Sequence, residues 1–358
     1  MLLYLIGAMI LLIISLFAFI KLRYRFWYLL PLNHYYNIFS RRGIICQELP
    51  EKNKYTNTKN VRTYYSNKLH KNDIKHINTL LNININEFLD CISFVSLYLN
   101  KEYLTTNKSI PIQRNKIIGC IASIPLNVIL HSINLDVYYF DFFYAKKQNI
   151  EEQLFQTHIY NQSRLNKSIS VYLFHKETKL KSVIPILQTK NFHFNLLEWT
   201  QPSPLDGCLS LVVGDKQNLY YFYNFFKGET KWDLSVVPEV SHIINMVTNK
   251  KLFIMLIMQS HEILAVYIFK HIDDNQLLLI SSIQGKIETR DFIKGFHNSL
   301  KKIVSVHIYK TLIITNLAHN STILEAMEHR PTSMKDTYYY FYNYSYPTQK
   351  PNASFLIL

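Results

Sequence analysis

Apolar positions along the chain change period several times, and each change predicts an element. Leu2–Ile20 is an unbroken, uncharged apolar run. Between Asp73 and Leu89 the apolar residues Ile74, Ile77, Leu80, Leu81, Ile83 and Phe88 fall on one face of a helix, with Asp73 in its first turn. The densest stretch is Lys116–Lys147. Lys116–Leu130 and Val137–Ala145 read as two long, adjacent, largely buried strands, joined by the more polar turn His131–Asp136. Asp141 is the only charge in the second of them and sits between Phe140 and Phe142. A charge in an otherwise apolar strand is the kind of local conflict that marks a site.

Further along, Ile150–Ser163 predicts a helix and Ile169–His175 an alternating strand, with more strands at Leu209–Val213 and Leu219–Phe226. The pattern then restarts. Val240–Val247 is helical, and Lys251–Met258, Ile263–Lys270 and Gln276–Ile283 form a strand meander. Asp291–Ile303 is a helix with Phe292, Phe296, Leu300 and Ile303 on one face. Leu312–Asn316, Thr322–Glu328 and Thr337–Tyr346 predict a strand, a short helix and a last long strand. Pro31–Tyr65 is a polar, irregular arm. Tyr220-Tyr221-Phe222-Tyr223-Asn224 recurs as Tyr339-Tyr340-Phe341-Tyr342-Asn343, which suggests an internal repeat. The expected class is α/β (α+β), in two halves.

At 1.5 Å per residue the leading apolar run spans roughly 28 Å, close to the bilayer hydrocarbon thickness. It lacks a basic n-region and a small-residue cleavage site, which predicts one uncleaved transmembrane helix rather than a signal peptide. Lys21, Arg23, Arg25, Arg41 and Arg42 follow it and no charged side chain precedes it. The positive-inside rule then puts the bulk of the chain on the cytosolic side as a single-pass membrane protein. In that orientation the sequons at Asn107, Asn161, Asn166, Asn320, Asn343 and Asn352 are chance matches in an Asn-rich chain.

Composition refines this picture. With 358 residues, 48% of them hydrophobic and 18% charged, the chain has enough apolar material for one large or two ordinary globular domains. Its abundant Asn, Ile, Lys and Tyr share AT-rich codons, as in a parasite, an endosymbiont or a large DNA virus. The formal net charge of +14 suits an acidic partner such as an anionic lipid or a phosphorylated ligand. No nucleic-acid motif is present. Cys46, Cys91, Cys120 and Cys208 are widely spaced, which predicts reduced and mostly buried thiols. HExxH, GxSxG and phosphate-binding glycine motifs are absent, and His261-Glu262 and the scattered histidines lack metal spacing.

Two segments carry a family resemblance. Lys116-Ile117-Ile118-Gly119-Cys120-Ile121-Ala122-Ser123-Ile124-Pro125-Leu126-Asn127-Val128 resembles a central strand of the eukaryotic-type glycylpeptide N-myristoyltransferases, Lys-Leu-Val-Gly-Phe-Ile-x-Ala-Ile-Pro-x-Asn-Ile. Near the end, Tyr339–Pro347 is similar to the family's Tyr-Tyr-Leu-Tyr-Asn-Trp-x-x-Pro, and both are followed by an apolar tail, here Ala353–Leu358. Tyr24, Phe26, Trp27 and Pro31 match the family's opening Tyr-x-Phe-Trp-x-x-x-Pro. The same residues also suit an aromatic, basic membrane-interface belt.

The resemblance implies tandem acetyltransferase-like (GNAT) halves with pseudo-two-fold symmetry. Their expected limits are 23–230, the acyl-CoA side, and 231–358, the peptide side, preceded by the anchor 1–22. It implies myristoyl-CoA as acyl donor and an N-terminal glycine peptide as acceptor. The Leu358 carboxylate would be the base, the backbone amides of Phe142 and Phe143 the oxyanion donors, and Tyr24, Phe26, Trp27, Lys146 and Lys147 the cofactor side.

Several positions depart from the family pattern. Asp141 replaces an Asn and Tyr144 a Cys. Ile150-Glu151-Glu152-Gln153 replaces the basic Arg-Ser-Lys-Arg loop, and Glu328–Met334 replaces a glycine-rich loop. The segment that covers the peptide is shortened. These departures predict a catalytically degenerate protein that binds a partner protein or an acyl chain. The alternatives are an active N-acyltransferase and a structural membrane or virion scaffold.

Overall fold

The structure is a computed structural model that describes residues 2–23, 25–37, 42–104, 112–198, 203–229 and 232–358. Helix α1 (Leu2–Arg23) carries exposed Leu5, Leu11, Leu12 and Ile14, and the short α2 (Arg25–Leu29) follows it. In these two helices the side chains of residues 2, 3, 17, 20–23 and 25 fall outside the description. Among the described residues, no helix is long and apolar enough to cross a membrane.

The arm beyond α2 holds β1 (Gly43–Ile44) and β2 (Val61–Tyr65), followed by helix α3 (Lys71–Leu81). The helix expected to reach Leu89 stops sooner. Asn82 adopts φ 54°, a left-handed cap that Asn tolerates, and a 3-10 turn covers Ile85–Phe88. Then come β3 (Phe94–Leu104), β4 (Ile112–Leu130) and β5 (Ile133–Ala145). The two strands of the densest stretch are antiparallel neighbours. They close in a tighter hairpin than the pattern suggests, with Leu130 opposite Ile133 and His131 at φ 52°.

Helix α4 (Gln148–Leu165) crosses the sheet to β6 (Tyr172–Lys176), which pairs parallel to β5. Gly119 lets α4 close down. A Cβ there would lie 3.0 Å from the Tyr144 carbonyl and 3.3 Å from Leu154. A buried chain of hydrogen bonds fastens the helix to the strands. Ser123 Oγ donates to Gln162 Oε1, so His158 Nε2–H donates to Ser123, while Nδ1 accepts from Ser96 at 2.7 Å. Burial lowers the His158 pKa to about 3, which keeps the ring neutral as that pattern requires.

The chain continues through β7 (Leu187–Asn195), β8 (Ser210–Val213), α5 (Leu219–Glu229), β9 (Leu234–Pro238) and α6 (Val240–Thr248). Strands β10 (Leu252–Gln259), β11 (Glu262–Asp273) and β12 (Gln276–Gln284) form the expected meander. Helix α7 (Thr289–Val304), β13 (Thr311–Thr315), α8 (Asn320–Glu325), β14 (Ser333–Tyr342), β15 (Tyr344–Ser345) and β16 (Ser354–Leu356) complete the chain.

Leu219–Phe226, expected as a strand, is helical. Asp215 Oδ1 accepts the amides of Gln217 and Asn218, starting the helix, and Leu219, Phe222 and Phe226 pack inward at helical spacing. The Tyr220–Asn224 and Tyr339–Asn343 pentapeptides therefore lie in a helix and a strand respectively and are not structural counterparts. The order of elements does repeat, however. The run β3-β4-β5-α4-β6 recurs as β10-β11-β12-α7-β13, each ending in a parallel crossover. Among the described residues fourteen strands form one sheet, in which β14 and β7 join the two runs.

Candidate active site

The site begins at a defect in the hairpin. Ala122 opposes Asp141 but Cys120 opposes Tyr144, so Phe142 and Phe143 together face Ile121. This β-bulge drives Phe142 to φ 52°, a left-handed conformation worth roughly 1–2 kcal/mol of strain for a bulky residue. Two contacts hold it there. The Asp141 carboxylate accepts the Phe142 N–H at 2.8 Å, and Phe88 packs 5.3 Å from the Phe142 ring.

Ahead of the bulge, β5 and β6 pair at Tyr138–Tyr172 and Tyr139–Leu173 and then part. On the α4 side the resulting wedge is filled. Trp27 stacks on Phe174 at 5.8 Å and meets Phe155 edge-on at 5.5 Å, and Phe143 lies 6.1 Å from Phe155. Lys176 pairs with Glu151 and sits 4.8 Å over the Phe143 ring, which closes the mouth. Phe26 is buried in the same cluster, and Tyr24 lies outside the described residues.

On the opposite face, Tyr139, His175 and Tyr339 form a row across β5, β6 and β14. The Tyr139 hydroxyl and His175 Nδ1 are 2.7 Å apart, and Tyr339 is the cross-strand partner of His175. Burial lowers the His175 pKa, opposed by the Asp141 carboxylate and reinforced by the positive charges of Lys176 and Lys270. His242 on α6 is driven down to about 4 by burial and by Lys270, again opposed by Asp141. Burial also raises the Tyr139 and Tyr339 pKa values, and Asp141 adds to both shifts. The Asp141 carboxylate thus acts on all four groups and the Lys270 ammonium on the two histidines.

Lys270 also donates to a backbone oxygen of Leu358 at 2.7 Å. Strand β16 brings Leu358 there by pairing parallel to β9, and Phe355, Leu356 and Ile357 are buried. Asp141, Phe142 and Lys270 line one cavity of about 710 Å³ together with Asn82, Phe88 and Asp273.

The remaining expected residues lie elsewhere. Lys146 and Lys147 are exposed ahead of α4, where Lys147 caps the helix through its backbone and no side-chain cap is formed. Glu151 occupies the first turn of α4 and Glu152 follows it. Burial raises the Glu152 pKa. A phosphate placed there would meet two carboxylates, of which Glu151 is paired with Lys176. The residues at this helix end do not fit a CoA phosphate. Among the described residues no group of three or more His, Cys, Asp or Glu could hold a metal ion. Cys91 and Cys120 are buried, whereas Cys46 and Cys208 are exposed, contrary to the mostly buried thiols expected.

No family model matches the sequence, and no curated protein matches it. Solved structures do match the fold. Saccharomyces cerevisiae N-myristoyltransferase with bound myristoyl-CoA superposes with a TM-score of 0.64 over 91% of this chain and 94% of that one, at 12% identity. A structure of the same yeast enzyme with myristoyl-CoA and inhibitors gives the same score over 91% of each chain. The chain has the N-myristoyltransferase fold. Sequence reasoning named the bulge amides and Leu358 but missed Lys270, His175 and His242. Lys270 alone left a trace, as the single charge closing the apolar run Ile263–Lys270.

Proposed function

We propose that this protein is a membrane-anchored binding module built on the N-myristoyltransferase fold, and that it does not transfer acyl groups. The observation that carries this reading is the Asp141–Phe142 contact. An oxyanion donor must point at the oxygen where charge develops, and losing one such donor costs about 10²–10³ in rate. Here the Phe142 N–H is already taken, and by an anion. The filled β5–β6 wedge and the acidic start of α4 support the same conclusion, because neither suits a thioester or a CoA phosphate.

A second cavity, of about 630 Å³, supports ligand binding. Leu30, Ile44, Leu49, Ile169, Tyr172 and Tyr342 give it an apolar wall, and Glu48, Glu51, Lys52, Gln156 and Lys167 a polar one, which suits a partner segment that is itself amphipathic, such as an acylated peptide. The apolar run Leu2–Ile20, with its trailing basic residues, supports anchoring with the bulk of the chain in the cytosol. Calorimetry with a myristoylated glycine peptide and with myristoyl-CoA tests the reading. We expect saturable binding of the peptide and no contribution from the CoA moiety. Tighter binding of myristoyl-CoA than of the peptide overturns it.

The alternative, an active N-acyltransferase, has one observation in its favour. Lys270 donates to a backbone oxygen of Leu358 at 2.7 Å, which holds the residue that the resemblance marks as carrying the base beside the cavity lined by Asp141, Phe142 and Lys270.

A further inference from the structure

At one end of the sheet two neighbouring loops show aliphatic side chains to solvent. The α7–β13 loop carries Val306, 68% exposed, and Ile308, 85% exposed, and the β11–β12 turn carries exposed Ile272. Backbone hydrogen bonds lock the loops together, since the Lys310 and Thr311 amides both donate to the Asn275 carbonyl at 2.9 Å. The last turn of α7 holds the other side, with the Val306 and His307 amides both donating to the Ile303 carbonyl at 3.1 Å. The tip is therefore preformed.

Within Val306–Tyr309 burial runs against hydropathy. Tyr309 is buried, and its hydroxyl lies 3.0 Å from His271 Nδ1. The His307 ring turns in beside Phe253 at 5.8 Å, with its Nε2 shut off from solvent. The two aliphatic residues that alternate with them face outward. Single exposed aliphatics need no explanation. A loop that hides its histidine and tyrosine and shows its valine and isoleucine, beside a second exposed isoleucine, marks a surface that something else covers.

The surrounding charges select the partner. Exposed Lys301 and Lys302 end α7, and exposed Lys310 follows Tyr309. Exposed Lys250 stands across from Ile272 by the register that pairs Leu252 with Lys270. The opposing carboxylates are Asp273 and Asp274. Protein interfaces centre on tryptophan, tyrosine and arginine and are poor in lysine. Ile272–Asn275 and Ser305–Lys310 contain no tryptophan or arginine, and their one tyrosine is buried. Aliphatic residues ringed by lysines instead suit the boundary of an anionic lipid surface.

We infer that this tip docks on an anionic bilayer, with Val306 and Ile308 entering the headgroup boundary and the lysines meeting the lipid anions. Its place in the fold adds a consequence. The tip leads into the start of β13, which lies beside the end of β7 and, across it, the start of β14. The chain leaving α2 instead pairs Leu32 with Tyr342 at the far end of β14. The 10 residues of that strand separate the two ends by roughly 30 Å. The bilayer met by the tip is then a second one, facing that of the anchor, a consequence that rests on the anchoring proposed above.

The test places the full-length protein in phosphatidylcholine vesicles, where flotation reports separately on anchoring. Added vesicles containing phosphatidylserine should be tethered, read as light scattering, and added pure phosphatidylcholine vesicles should not. If the protein does not float, the anchoring reading fails, and the tip is read directly by cosedimentation of the same protein with the phosphatidylserine vesicles. Val306→Ser with Ile308→Ser should weaken the contact about tenfold. Lys301→Gln with Lys302→Gln should weaken it roughly twentyfold. All four side chains are exposed, so neither pair should lower the melting temperature. Equal tethering of pure phosphatidylcholine vesicles, a contact unmoved by the serine pair, or self-association of the protein that the serine pair abolishes would each overturn the inference.

Discussion

Asp141 turns its carboxylate back onto the next residue, accepting the Phe142 amide at 2.8 Å while Phe142 sits at φ 52°. The contact does two things at once. It stabilises a bulge that would otherwise be strained, and it occupies the amide on which acyl transfer would depend. Asp141→Ala leaves the strain without its brace and should lower stability by about 1–2 kcal/mol in urea unfolding. Asp141→Asn keeps an acceptor and should lower it by less. Equal losses in the two variants would show that the hydrogen bond is not what matters.

The Lys270–Leu358 contact makes a similar prediction. Lys270→Met leaves the half-buried Leu358 backbone oxygen without its donor and should cost about 1–3 kcal/mol in urea unfolding. Lys270→Arg keeps a donor and should cost less. A loss as large as that of Lys270→Met would mean that the contact contributes nothing.

Stability should fall in acid because of two buried histidines. His158 and His242 have pKa values near 3 and 4 when folded, against about 6.5 when unfolded. Between those limits the unfolded chain binds more protons, so stability rises with pH and is lost as pH drops below about 6.5. Each histidine contributes a slope of at most ~1.4 kcal/mol per pH unit. His242→Phe should flatten the urea midpoint profile between pH 6.5 and about 4. An unchanged profile would mean that His242 is protonated in the folded protein.

Helix α7 packs on the sheet through Gly295. A Cβ there would lie 2.5 Å from the Tyr267 hydroxyl and 2.9 Å from Ile257. Gly295→Ala should therefore destabilise by about 1–3 kcal/mol, although alanine is the better helix former. A melting temperature at or above wild type would show that the helix can shift outward.

Much of the architecture was legible because period and burial agree. Phe292, Phe296, Leu300 and Ile303 mark α7, and the apolar alternation of Lys116–Leu130 marks β4. Where propensity and context disagree, the pattern misleads. Tyr220–Phe226 is rich in strand-forming aromatics, yet the Asp215–Asn218 turn before it starts a helix. Half of the site was readable as well. Asp141 stood out as the misplaced charge and Leu358 came from the resemblance. Lys270, His175 and His242 are brought to them only by strand order and by the return of β16, which no local pattern encodes.

Whether this fold has given up acyl transfer is decided by incubating the full-length protein with myristoyl-CoA and a peptide bearing an N-terminal glycine. We expect no myristoyl-peptide above the protein-free rate. Product formed above that rate would make the protein an N-acyltransferase.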